Sequence, residues 1–156
     1  MVIRRADKED LHNILSLQYL AYQSEARLLN NPDIPPLKQT LDEVAAEFDN
    51  GIILKALTEE NTIIGSVRAY SKDGTLYIGK LIVHPDFQGQ GIGTKLLCEI
   101  EQICPHKRYE LFTSSKSSRN ILLYERLGYH IFNEETVSQA LTLLYLEKTV
   151  CSTIGE

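Results

Sequence analysis

The stretch from Leu81 to Glu101, LIVHPDFQGQGIGTKLLCEIE, constrains the fold more than any other part of the chain. Leu81-Ile82-Val83 is a short apolar run that reads as the end of a buried strand. Pro85 has no N–H and disfavours helix at the residue before it, so His84-Pro85-Asp86 predicts a turn, with His84 a turn residue rather than a base. Gln88-Gly89-Gln90-Gly91-Ile92-Gly93-Thr94 then opens a helix on which Ile92, Leu96, Ile100 and Ile103 recur at helical spacing. A strand that feeds a glycine-rich loop and then a helix N-terminus is a device for holding an anion. Side chains are absent where backbone N–H groups approach it, and the helix dipole favours its charge. Three alternate glycines cost backbone entropy and begin a helix poorly unless a ligand compensates.

The remaining elements follow in order. Val2 to Arg5 predicts a first strand. Asp7 offers an N-cap for an amphipathic helix carrying Leu11, Ile14, Leu15, Tyr19 and Tyr22 and running to about Leu29. Asn30 to Pro36 predicts an irregular loop. Thr40-Leu41-Asp42-Glu43 is a capping box, followed by Val44, Ala45 and Phe48 on one helical face and ended by Gly51. Three β-rich stretches come next, Ile52 to Thr58, Thr62 to Ser71 and Thr75 to Val83. They are joined at Glu59-Glu60-Asn61 and at Asp73-Gly74, which suit hairpins. After the glycine-led helix, Pro105 ends the segment and Leu111 to Thr113 predicts a short strand. Ser117 or Ser118 caps a helix with Ile121, Tyr124 and Leu127, and Gly128 stands at C′. Tyr129 to Phe132 and Leu141 to Glu147 complete a β-α-α-β-β-β-α-β-α-β-β order, an α+β fold with a mixed sheet in a three-layer αβα arrangement.

At 156 residues the chain suits one domain, 1–156, with a full core. Sixteen Lys and Arg against 21 Asp and Glu leave a net charge of −5, which argues against nucleic-acid binding and is compatible with a cationic substrate. Cys98, Cys104 and Cys151 form an odd set without CxxC or a His at ligand spacing, so no metal site is expected and a reduced, cytoplasmic compartment is. MVIRRADKED lacks the apolar stretch of a signal peptide, and no run reaches membrane-spanning length, so no membrane association is expected.

Two common phosphate motifs fail on spacing. The hydrolase loop needs four residues between its first Gly and Gly-Lys-[Ser/Thr], whereas Gly93 here is followed by Thr94-Lys95. The dinucleotide fingerprint needs GxGxxG early in a parallel sheet, whereas Gly89, Gly91 and Gly93 alternate and follow a meander. Gln88-Gly89-Gln90-Gly91-Ile92-Gly93 instead matches Q/R-x-x-G-x-G/A, flanked by Leu-x-Val-His-Pro before it and Leu96-Leu97 after it. Leu123-Tyr124-Glu125-Arg126-Leu127-Gly128-Tyr129 lies about thirty residues on, in the form LYExxGF/Y. In both motifs, and in the order of its elements over nearly the whole chain, the sequence resembles the GNAT superfamily of N-acetyltransferases.

That resemblance implies acetyl-CoA as co-substrate, with the N–H groups of Gln88, Gly89, Gln90, Gly91, Ile92, Gly93 and Thr94 around the pyrophosphate. It implies that the strand carrying Leu81, Ile82 and Val83 splays from its neighbour, often at a bulge, and pairs with the pantetheine arm. An N–H near Leu81 is then the natural donor to the oxyanion. It assigns Tyr124 as the acid that protonates the departing thiolate, a reasonable match between a phenol of pKa about 10 and a thiol of about 8.5. Many members of the family carry a cofactor-contacting Asn where this chain has Ser117. Asn120, one helical turn from Tyr124, is the other candidate for that contact. Some relatives carry a glutamate before the glycine loop, where Leu76-Tyr77-Ile78-Gly79-Lys80 has no carboxylate, so the base is ordered water, Glu25 or another group folding into the cleft. Arg68 and Tyr70 are candidates to line the acceptor cleft or the solvent face of their strand, and Lys116 and Arg119 to neutralise phosphate. Acceptor clefts of the family imply Tyr22 to Lys38 and Asn133 to Ala140 here; Glu25, Asp33, Glu134 and Glu135 in those segments favour a cationic amine. Family members often form homodimers. The reading from another functional class is a silent CoA-binding sensor or regulatory module.

Overall fold

The structure, a computed structural model, describes residues 1–150; Cys151 lies outside them. Seven strands form one sheet: β1 (Val2–Arg5), β2 (Ile52–Leu57), β3 (Ile63–Lys72), β4 (Thr75–Val83), β5 (Arg108–Ser114), β6 (His130–Thr136) and β7 (Thr142–Thr149). Their spatial order is β1-β2-β3-β4-β5-β7-β6. Every pairing is antiparallel except β4 with β5. That pair is joined through a helix, the crossover that parallel neighbours require.

Alternate residues of a strand face opposite sides of the sheet, and the core divides accordingly. Ile53 joins Ala6, Leu11, Ile14, Leu15 and Val44 beneath α1 (Leu11–Ala21) and α4 (Leu41–Asp49). Leu54 joins the larger cluster formed by Val67, Leu76 and Ile78 with Leu96, Leu97 and Ile100 of α5 (Ile92–Ile103) and Tyr124 of α6 (Ser118–Arg126). Helices therefore cover both faces, giving the expected three layers.

The capping box forms as expected: the Thr40 N–H donates to Glu43 Oε1 at 2.8 Å and the Glu43 N–H to Thr40 Oγ1 at 3.2 Å. Asp73 and Gly74, at φ 51° and 84°, make the hairpin turn between β3 and β4. Gly128 at φ 98° stops α6; its N–H donates to the Glu125 carbonyl and that of Tyr129 to the Tyr124 carbonyl, a Schellman closure.

Several boundaries depart from the sequence reading. The helix expected to run from Asp7 to about Leu29 is broken into a one-turn 3-10 helix (Lys8–Asp10), α1, and α2 (Gln23–Leu28), with the break at Tyr22, where ψ is 0°. The break turns α2 so that Ala26 and Leu29 pack with Ile34 and with Leu141 of the last hairpin; tertiary packing overrides helix propensity there. Within the stretch expected to be irregular, Pro35 begins a single helical turn, α3 (Pro35–Lys38), where its missing N–H costs nothing. Gly51 does not end α4 through left-handed backbone. A Cβ there would lie 2.2 Å from the Ala69 carbonyl oxygen, so the close approach of β3 excludes any other residue. The strand expected over Leu111–Thr113 begins at Arg108, because Arg108 is paired across strands with Glu147 (2.9 Å) and beside it with Glu110 (2.8 Å); these charges conceal strand character in the sequence.

No helix among the described residues is long and apolar enough to cross a membrane.

Candidate active site

After β4 the chain makes the expected turn. The Asp86 N–H donates to His84 Nδ1 at 3.0 Å, and the His84 ring lies edge-on to Phe87. Gln88 is extended, whereas Gly89 and Gly91 adopt φ 79° and 80°, left-handed values that favour glycine. Gly91 is the N-cap of α5, and the first intrahelical bond runs from the Lys95 N–H to the Gly91 carbonyl at 3.1 Å. Among the described residues, no backbone N–H from Gly89 through Thr94 finds a protein acceptor. Six consecutive N–H donors without a protein acceptor thus lie at the positive end of a helix, on a loop in which every second residue is glycine, an arrangement suited to an anion. Arg119 reaches across from α6: its Nη1 donates to Gln88 Oε1 at 3.2 Å, and its Nη2 lies 3.8 Å from where a Cβ on Gly89 would stand. Of the two cations named from the sequence, Arg119 therefore lies against the loop.

Beside this loop the sheet opens. β4 and β5 pair only through Thr75–Arg108, Leu76–Tyr109 and Tyr77–Glu110, so Ile78 to Val83 keeps β3 alone as a neighbour. A β-bulge falls in the same stretch, where the pairing passes from Arg68–Gly79 to Ser66–Ile82 and Lys80 takes φ 50°. The His84 N–H points to β3, donating to the Ile64 carbonyl at 2.8 Å. By strand alternation the N–H groups of Leu81 and Val83 face the opening. Their side chains pack near Gly93, at 4.0 and 3.9 Å from its would-be Cβ, while Ile82 is buried. The splay and bulge implied by the resemblance are both present.

Tyr124, on α6, is 6% exposed, with its ring 6.2 Å from that of Tyr129. Burial, and then the Glu25 carboxylate, push its hydroxyl well above the usual phenol range, and the same two causes act on Tyr22. The Tyr129 hydroxyl is tied to Glu101 Oε2 at 2.7 Å, whereas no described residue hydrogen-bonds the Tyr124 hydroxyl. Glu25, from α2, is held by Ser117 Oγ at 2.9 Å. Asn120 instead leans on Thr113 of β5, Nδ2 to Oγ1 at 3.4 Å. Ser117 and Asn120 thus both stand at the start of α6 beside the opening, Ser117 turned toward α2 and Asn120 toward β5.

Arg68 is neither a cleft-lining residue free in solvent nor part of a solvent face: it is 5% exposed. Its Nη1 donates to Glu47 Oε1 (2.7 Å) and Gln39 Oε1 (3.0 Å), and its Nη2 to Gln18 Oε1. Gln18 in turn donates to the Pro36 carbonyl at 2.8 Å, which ties the proline segment to the sheet. Tyr70 is exposed and stacks on Tyr77 at 5.2 Å. Gln18 and Gln39 were beyond sequence reasoning, since each is one polar residue in an unremarkable context. Of the four acidic residues expected at the acceptor end, Asp33 lies 3.6 Å from Lys38 and Glu135 accepts from Tyr145 at 2.8 Å. All of β6 is exposed, and Glu25 alone acts on Tyr124. No group of three or more metal-ligating side chains occurs among the described residues.

Residues 9–129 match the acetyltransferase (GNAT) family. The chain is 27% identical over 132 residues to the UPF0157 protein YqkA of Bacillus subtilis (strain 168), a match covering 84% of this chain and 37% of that protein. It is 28% identical over 98 residues to the uncharacterized N-acetyltransferase ycf52 of Gracilaria tenuistipitata var. liui, covering 60% and 54%. The matched stretch is thus about half, or less, of the length of these curated relatives. The structure of yncA from Salmonella typhimurium, solved with its cofactor acetyl-CoA, superposes with a TM-score of 0.74 at 20% identity, covering 100% of this chain and 97% of that one. Fold, glycine loop and family match agree, and the chain belongs to the acetyltransferase (GNAT) family.

Proposed function

We propose that the protein transfers the acetyl group of acetyl-CoA to a primary amine by direct attack. One observation carries this reading: the unpaired N–H groups of Gly89 to Thr94 adjoin an unpaired strand edge, Leu81 to Val83. A diphosphate and an amide-bearing arm would satisfy both sets of donors at once. Acetyl-CoA supplies the activated thioester carbonyl. Around it the chain's own groups divide the work. The Leu81 N–H faces the gap and would donate to the oxyanion as the amine nitrogen bonds to the carbonyl carbon. The Tyr124 hydroxyl, kept protonated by burial and by Glu25, would give its proton to the sulfur as the C–S bond breaks. Glu25, whose carboxylate accepts from Ser117 Oγ, would receive the amine's proton, directly or through water. Arg119 would neutralise pyrophosphate charge from the α6 side, and Ser117 or Asn120 would supply the family's side-chain contact to the cofactor. We further place a second copy of the chain, when one assembles, along β6, an exposed edge strand carrying Ile131 and Phe132.

The test is release of free thiol from acetyl-CoA in the presence of a broad amine panel, with the acetylated product identified by mass spectrometry. Amine-dependent release that stops when acetyl-CoA is replaced by CoA supports transfer. Tight CoA binding with no release above background from any amine would instead identify a silent CoA-binding module.

A further inference from the structure

Lys80 occupies the bulge of β4 with left-handed backbone, a conformation disfavoured for any residue with a Cβ, although Gly79 stands immediately before it. The bulge lies at the splayed end of the sheet and puts Lys80 one residue before Leu81 and one after Gly79, which stands opposite Arg68 of β3. The Lys80 side chain is half-buried, and among the described residues its ammonium has neither a carboxylate within ion-pair distance nor a hydrogen-bond acceptor. Its charged neighbours are Glu47 and Arg68. Glu47 is already bonded to Arg68 Nη1 at 2.7 Å, and the Arg68 Nε is buried without a partner. This corner of the site therefore holds two cations against one carboxylate. The Glu25 carboxylate, held by Ser117, raises both the Tyr124 and the Tyr22 hydroxyl, and the Arg68–Glu47 pair also acts on Tyr22.

An acceptor carrying only amines would suit Glu25 and leave unanswered the charge of Lys80, one residue from the oxyanion donor proposed at Leu81. An amine with a carboxylate on the adjacent carbon answers both. We propose that Lys80 binds the carboxylate of the acceptor, and that the substrate class is the free α-amino acid, acetylated at its α-amine. This rests on the acetyl-transfer reading above and narrows its acceptor.

The experiment compares free thiol release at saturating acetyl-CoA for L-amino acids, their amides and the matching decarboxylated amines, across apolar, acidic and basic side chains, with spermidine as a polyamine. A charge-assisted contact predicts that the best amino acid exceeds its own amide by about 10- to 100-fold in kcat/KM. In Lys80→Met, and in Lys80→Gln as a second variant, that ratio falls to near one, mostly through KM; Lys80→Arg restores it. Circular dichroism melting verifies that each variant is folded. Amides or spermidine used as well as amino acids, or a ratio that survives Lys80→Met, overturns the assignment while leaving acetyl transfer standing. Release with no compound in any series overturns both.

Discussion

Tyr124→Phe removes one oxygen from a buried ring, and the structure allows its effects on stability and on rate to be separated. The hydroxyl has no hydrogen-bond partner among the described residues, so its loss strands no donor or acceptor, and the melting temperature should move by no more than about 0.5 kcal/mol implies. The rate should behave differently. General-acid groups contribute about 10²- to 10⁴-fold. A thiolate whose conjugate acid has a pKa of about 8.5 is a fair leaving group unaided, which places the loss at the lower end, about 100-fold in kcat, or about 2.7 kcal/mol of barrier. Burial and the Glu25 carboxylate raise the hydroxyl above its ordinary value of 10.0, so the acid form is fully present below pH 10. The wild-type profile of kcat should therefore show no falling limb from Tyr124 below that pH. Stopped-flow thiol detection gives kcat, and calorimetric titration with CoA gives affinity, which should change less than about threefold because the hydroxyl acts on the leaving sulfur alone. A kcat within threefold of wild type would refute the assignment. Tyr22→Phe is the informative companion, since Tyr22 is shifted by the same carboxylate; a large loss there and none at Tyr124 would move the acid to α2.

Gly91→Ala forces a side chain into φ 80° and should cost about 1–2 kcal/mol in urea unfolding, together with weaker CoA binding. Gly93→Ala should cost nothing and can stabilise α5, because Gly93 is helical and a Cβ there meets only ordinary contact at 3.6 Å; equal destabilisation by the two variants would contradict this account of the loop. Arg68→Met leaves Gln18, Gln39 and Glu47 without their shared donor and should destabilise by about 2–3 kcal/mol in the same assay, less than a fully buried pair because Glu47 is half open to water. A loss under 1 kcal/mol would show that the tether of the proline segment to the sheet is incidental.

What was legible in the sequence is what local chemistry dictates. The capping box at Thr40, the Asp73-Gly74 turn and the glycine-led helix were readable because each depends on residues within a few positions of one another. The motif's tolerance of Gly or Ala at its last place is explained by Gly93, which has room for a methyl group, whereas Gly91 does not have the backbone for one. Long-range packing was not legible. Nothing near Tyr22 announces that α1 must break so that Ala26 and Leu29 can meet Leu141, and nothing around Gly51 announces the Ala69 carbonyl. The site divided along the same line. Tyr124 and the loop carry motifs, while Lys80 gains its meaning from a bulge, and Arg68 from partners 21 to 50 residues away.

Titration of the ¹⁵N-labelled protein with acetyl-CoA, followed through assigned backbone amide resonances, shows whether the unpaired amides of the glycine loop receive the cofactor's diphosphate. The largest shifts should fall on Gly89 to Thr94 and on Leu81 and Val83, and acetyl-pantetheine, lacking the diphosphate, should move only the latter pair. Shifts concentrated elsewhere, or a loop left unmoved at saturation, would contradict that role for the loop.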